Sequence, residues 1–544
     1  KPCQARRVNY HRRMRHVSLS AIVGLVVLAV QLRAAEAQKG AAFYTDVHGA
    51  AALVRFLHAM SELDPKYRKP RDAAMNWMLR QMRDFRGAGR TWLQNPSAPK
   101  GHKSFHTTVT SSANFNARTL LEIYRETKDP RLIAAVKEHI NWLKATAVMR
   151  QKDEGPAYAW SGRQSMDRKP NFKNRKFLLV SGNSRGFGNI LDTLGDYHRT
   201  TGDKSVLPFL EGGARFGYLI SKKSDGRNVL NSREKRRGIE PAGGGKLTPA
   251  NEHIYWVRAD NSAVVGFCRG STGNVYALQT AQQNLPGAKL SKDRTIEDVI
   301  NAGLRQIIAE ARGWNQGFTW ENMNGQPGAR NIGIGRGVSG IAMTLWRGYE
   351  MNRKTGNAKM AKQCRETAEG IVRGMLHSVE PLNPAQPLTE HVMMGAKADR
   401  SGKLNETIGY CSGIAGIHYW LFEYADAVRV ENPKLARRCE EATRIVARRL
   451  INTAFVVNGN YAWKNHNPKF GGEKVVNMAF DHGQTGVAIA LAEIAERLKD
   501  PVIIAAAHKA AGFVLAQTVK DGDGIKMPFL VKISPAVKPL VPRK

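Results

Sequence analysis

Apolar positions run through this 544-residue chain in two alternating kinds of helical stretch. One kind is apolar almost all round, as at residues 274–278, 341–345, 417–422 and 487–491. The other has one apolar stripe and one wet face. After Pro433, Leu435, Cys439, Ala442, Val446 and Leu450 recur at helical spacing, with Arg437, Arg438, Glu441 and Arg448 between them. A helix with no polar face belongs in an interior; one with a single polar face belongs on an outer wall. The pattern therefore predicts inner and outer helices in pairs.

Each inner stretch is opened by a glycine signature. Cys268-Arg269-Gly270-Ser271-Thr272-Gly273 opens one copy, and Gly335-Arg336-Gly337-Val338-Ser339-Gly340 the next. Cys411-Ser412-Gly413-Ile414-Ala415-Gly416 and Asp481-His482-Gly483-Gln484-Thr485-Gly486 follow. The final glycines are 67, 76 and 70 residues apart, and a looser copy, Ser184-Arg185-Gly186-Phe187-Gly188, lies upstream. Such a period marks an array of equivalent units. The turns between partners repeat too: Asp129-Pro130, Asp203-Lys204, Gly356-Asn357, Asn432-Pro433 and Asp500-Pro501. Asp or Asn caps a helix start, and Pro fits its first position.

Seven pairs result, with inner starts near Thr45, Ala113, Arg185, Gly270, Gly337, Gly413 and Gly483. Outer starts fall near Pro70, Pro130, Asp203, Ile296, Asn357, Pro433 and Pro501. The inner helices are too apolar to line an open solvated surface, so closure into a ring is expected. The fold class is thus all-α, an (α/α) toroid of about seven helical hairpins whose inner helices start at Gly-x-x-Gly motifs. All signatures then meet on one face, where helix N-termini present free N–H groups.

Composition divides the chain into residues 1–37, a ring domain over 38–517, and a Pro- and Lys-rich stretch over 518–544 that reads as a tail or a wrapped strand. The first segment has a basic stretch, Arg12-Arg13-Met14-Arg15-His16, then apolar residues 17–30 and Ala35-Glu36-Ala37, a small-x-small cleavage pattern. Residues ahead of Met14 look like an over-extended frame. A secreted or periplasmic protein with no stable membrane anchor after cleavage is expected. The basic, Gly- and Asn-containing insertions at 151–176 and 221–246 read as loops. Formal charge is +37, and +31 beyond residue 37. This field suits a polyanionic partner, or reflects only a lysine- and arginine-rich surface. No nucleic-acid-binding motif is present, so no nucleic-acid partner is expected.

Candidate chemistry gathers at the signatures. Asp481 and His482 are the acid–base candidates, with helix capping as the structural alternative. Arg185, Arg269 and Arg336 share the slot before a glycine, where three guanidiniums could hold carboxylate or sulfate. Cys268, Cys411 and His482 make a zinc set with an open fourth position; tight packing or a disulfide between the cysteines are the alternatives. Trp160, Trp256, Trp320 and Trp463 recur ahead of the glycines, either as substrate-stacking rings or as loop anchors. His418 reads as a core residue. Cys364 and Cys439 lie on the apolar stripes of outer helices.

Over about residues 43–517 the glycine signatures, the turn Tyr124-Arg125-Glu126-Thr127-Lys128-Asp129-Pro130 and the helix pairs resemble the lanthionine synthetase C-like (LanC-like) proteins. The resemblance implies a toroid of seven inner and seven outer helices. It also implies zinc on one Cys of a Cys-x-Gly signature and on a Cys-His pair of the next. Here those positions hold Gly335 and Cys411-Ser412, and the preceding His-Gly becomes Arg269-Gly270. The scaffold carries over and most of the zinc chemistry does not. The wider class of α/α barrels contains glycosidases and polysaccharide lyases. The expected function is therefore a carbohydrate-active hydrolase or lyase acting on an anionic polymer at the central mouth. The rivals are a zinc-dependent cyclase-like thiol-addition enzyme on an anionic peptide, and a non-catalytic glycan- or surface-binding protein.

Overall fold

In a computed structural model, the described residues are 42–46, 48–84, 87–93, 109–150, 155–160, 187–224, 252–256, 264–268, 270–314, 316–320, 332–379, 397–398, 404–405, 408–463, 475–533 and 540. Among them are fourteen α-helices. The inner ones are α1 (Ala50–Leu63), α3 (Val109–Thr127), α5 (Phe187–Thr201), α7 (Ser271–Asn284), α9 (Val338–Thr355), α11 (Ile417–Val428) and α13 (Gln484–Leu498). The outer ones are α2 (Arg68–Arg80), α4 (Pro130–Thr146), α6 (Leu207–Leu219), α8 (Ile296–Ala309), α10 (Ala358–Val379), α12 (Pro433–Asn452) and α14 (Pro501–Ala516). Each inner helix packs on its own outer partner, and α13 packs back against α1. The fold is an all-α toroid, as the apolar pattern required.

The caps explain why outer helices start where they do. Asp129, Asp203, Asn432 and Asp500 each accept an amide N–H from the first turn they introduce. Thr295 and Asp298 complete a reciprocal capping box on α8. In three signatures the second glycine is set by crowding. A methyl on Gly340, Gly416 or Gly486 would stand 1.9–2.1 Å from the carbonyl oxygen of Ile334, Tyr410 or Phe480. The chain doubles back over these positions, and only glycine leaves room.

A third element in every unit escaped the sequence reading. Each outer helix is followed by a short antiparallel hairpin: Met82–Asp84 with Arg90–Trp92, then Val148–Arg150 with Ala157–Ala159. Lys222–Ser224 pairs with His253–Tyr255, and Arg312–Trp314 with Gly317–Thr319. Lys397–Ala398 pairs with Leu404–Asn405, Phe455–Val457 with Asn460–Ala462, and Val519–Asp521 with Gly524–Lys526. The stretches read as loops at 151–176 and 221–246 thus contain strand residues, and their remaining parts lie mostly outside the described residues. Strands of two or three residues are too short to print an alternating pattern.

The last hairpin lies past residue 517. It belongs to the seventh unit and docks on α2 of the first. Leu530–Lys532 then pairs with Val475–Asn477, Phe529 N–H donates to Ala42, and Phe43 bridges to Pro528. The ring is closed twice: inside by α13 on α1, outside by this hairpin on α2. Residues 1–37 lie outside the described set. No helix among the described residues is long and apolar enough to cross a membrane.

Candidate active site at the ring mouth

The inner-helix starts are stitched to one another by backbone hydrogen bonds. Cys268 N–H donates to the Gly335 carbonyl at 2.6 Å. Gly335 and Arg336 N–H both donate to the Cys411 carbonyl, at 2.8 and 2.9 Å. Cys411 N–H donates to the Asp481 carbonyl at 2.8 Å. Four signatures spread over more than two hundred residues of sequence thereby form one continuous rim.

On this rim the Asp481 carboxylate lies between two imidazoles. His482 Nε2 is 3.7 Å from one oxygen and His48 Nδ1 is 3.9 Å from the other. All three side chains are partly exposed, at 24–32%. Sequence reasoning missed His48. It occupies the same slot before a glycine (Asp46-Val47-His48-Gly49) as His482, but Ala52 stands where the second glycine would be. The His-Gly pair was the available signal. Ring closure brings the first unit beside the last.

Arg336 reaches the same neighbourhood. Burial opposes its charge, yet the nearby Cys411, Cys268 and Asp481 hold its guanidinium more firmly protonated than usual. Cys268 and Cys411 meet with their sulfurs 3.6 Å apart. Cys411 is buried and Cys268 partly exposed. The hydrogen bond to Cys268, then burial, push the Cys411 thiol well above the usual range, against the pull of Arg336. The other two cysteines among the described residues, Cys364 and Cys439, are buried and form no disulfide.

The zinc set does not assemble. Two thiolates on one tetrahedral zinc, with bonds of about 2.3 Å, sit roughly 3.7 Å apart, which the sulfurs match. The two sulfurs and a nitrogen of His482, however, do not all lie within 4.8 Å of one another, and the Arg336 cation stands beside the sulfurs. Among the described residues, the triad close enough to share a cation is instead His58, Glu62 and Glu126.

The tryptophans are anchors. Trp160, Trp256, Trp320 and Trp463 are 0–5% exposed, so none offers a ring face to substrate. Their indole N–H groups donate at 2.8–2.9 Å to Leu143, Gly217, Ile307 and Leu450, and Trp92 donates to Met78 at 3.0 Å. Each acceptor lies among the last four residues of the outer helix just completed, whose carbonyls lack intrahelical partners. His418 is a core residue, with Nδ1 2.6 Å from the Ala415 carbonyl and Nε2 2.6 Å from Glu493. Arg185 and Arg269 lie outside the described residues.

The chain matches no family model and no curated protein. Among solved structures it is similar to the cellobiose 2-epimerase from Bacillus thermoamylovorans B4167, at 12% identity over 74% of this chain and 92% of that one, with a TM-score of 0.38.

Proposed function

We infer that this is an exported LanC-like toroid whose mouth cleaves an anionic polysaccharide by β-elimination. One observation carries the reading: a single carboxylate, Asp481, is flanked by His482 and His48, with Arg336 alongside. Glycosidases of the common design need two carboxyl groups about 5–9.5 Å apart. On the described rim segments the other acid, Asp46, is buried and accepts the His48 amide in its own turn. Elimination asks for something else: a cation on the uronate carboxylate, a base and an acid. Arg336, with Arg185 and Arg269 in the matching slots, suits the carboxylate. One imidazole takes the proton next to that carboxylate. The released electron pair forms the carbon–carbon double bond and expels the glycosidic oxygen, which the second imidazole protonates. Asp481 between them favours the imidazolium that develops. The positive field concentrates the polymer at the mouth, and the basic, apolar, small-x-small leader supports export.

The test is turnover of polyuronates and sulfated glycans, followed by the ultraviolet absorbance of the conjugated alkene. Activity confined to neutral glycans, or products without that absorbance, would sink the reading. A zinc-dependent thiol-addition enzyme on an anionic peptide is the second reading; it would need His482 to move onto the sulfur pair.

A further inference from the structure

We propose that Cys268 and Cys411 form a reversible disulfide that covalently ties two helix starts of the ring mouth. The inference is independent of what the mouth turns over. It rests on the sulfur pair itself: thiols on the fourth and sixth inner-helix starts, 143 residues apart in sequence, lie 3.6 Å from each other. The backbone holds them there. Gly335, on the intervening start, accepts from Cys268 N–H and donates to the Cys411 carbonyl. A methyl on Gly335 would stand 2.4 Å from both sulfurs, so glycine at this position is what lets them meet.

The pair is also asymmetric in the way thiol–disulfide exchange uses. Cys268 is partly exposed and Cys411 is buried behind it. A low-molecular-weight disulfide such as glutathione disulfide is the oxidant. The Cys268 thiolate attacks one of its sulfurs, giving a mixed disulfide and one released thiolate. Cys411, no longer bonded to the Cys268 thiol, gives its proton to that departing thiolate. Its sulfur then attacks Cys268 and releases the second small thiol. Two protein thiols and one small disulfide become one protein disulfide and two small thiols. Arg336, coupled electrostatically to both sulfurs, opposes the upward push on the Cys411 thiol. Cys364 offers no rival, since burial pushes its thiol up to about 12.

The experiment equilibrates the full chain, pretreated with a chelator, over a series of glutathione ratios, then alkylates and maps the thiols by mass spectrometry. The expected result is a monomer two hydrogens lighter, with a Cys268–Cys411 cross-linked peptide that reducing agent removes. Cys411→Ser should instead stop at a glutathione adduct on Cys268. Gly335→Ala, where folded by circular dichroism, should need a more oxidising ratio. Wild-type thiols that both stay alkylatable at every ratio, or that join only to glutathione, to another chain or to Cys364 and Cys439, would overturn the proposal without recourse to any variant.

Discussion

Trp77 Nε1 donates to Asp521 Oδ2 at 3.0 Å, joining residues 444 positions apart. Asn76 donates to Asp523 at 3.1 Å, and Arg80 binds Asp523 and the Asp521 carbonyl. The C-terminal hairpin thereby closes the outer wall on the first outer helix. Removing residues 518–544 should leave Trp77, which is 2% exposed, with its face uncovered and its N–H unpaired. A cost above 3 kcal/mol is expected, from lost burial plus about 1–3 kcal/mol for the indole donor. Denaturant unfolding of the truncated chain checks this; an unchanged midpoint would mean the ring closes without its last hairpin.

Trp320→Phe separates anchoring from substrate stacking. The ring stays buried, but the Ile307 carbonyl loses its donor. The expected result is a loss of about 1–3 kcal/mol in stability, with polyanion affinity unaltered. Weaker glycan binding at unchanged stability would return the tryptophans to the site.

How far the fold was legible follows from where its physics is local. Caps such as Asp500 and crowded glycines such as Gly486 are dictated within a few residues, so the sequence displays them. Ring closure was legible because each inner stretch opens on an apolar run after its glycine signature, although α11 also carries a wet stripe of Tyr419, Glu423 and Asp426. The site was only partly visible. Asp481 and His482 share a signature, whereas His48 arrives from the far end of the chain through closure, in a copy lacking its second glycine. The tryptophan spacing revealed a repeat but not which way the rings face, and burial decided that.

Glu310 gives a pH signature. Burial pushes its carboxyl up to about 8 from an ordinary 4.5, despite a hydrogen bond from Gln306. The folded state then holds a proton that the unfolded chain gives up, so this group's stability is full below 4.5 and is lost as pH rises to 8. The slope is about 1.4 kcal/mol per pH unit within that window. Glu310→Gln should remove the slope and raise the melting temperature at pH 8 but not at pH 4. Parallel pH profiles for the two proteins would show that the carboxyl titrates normally.

Metal content distinguishes the thiol readings. With His482 off the sulfur pair and Arg336 beside it, zinc in protein purified without chelator should be well below one per chain and indifferent to Cys411→Ser. Stoichiometric zinc that vanishes in Cys411→Ser would restore the thiol-addition enzyme and place His482 on the metal.

The two imidazoles should fail together. If His482 and His48 serve opposite ends of one elimination, His482→Ala and His48→Ala should each lower kcat by about 10²-fold or more. The double variant should fall far less than the product of the two losses, because either absence already breaks the proton path. Arg336→Lys keeps the charge but gives up the bidentate fork, so it should raise KM more than it lowers kcat. Full activity in His48→Ala would leave Asp481 and His482 to act without the first unit, and ring closure would then position nothing that reacts.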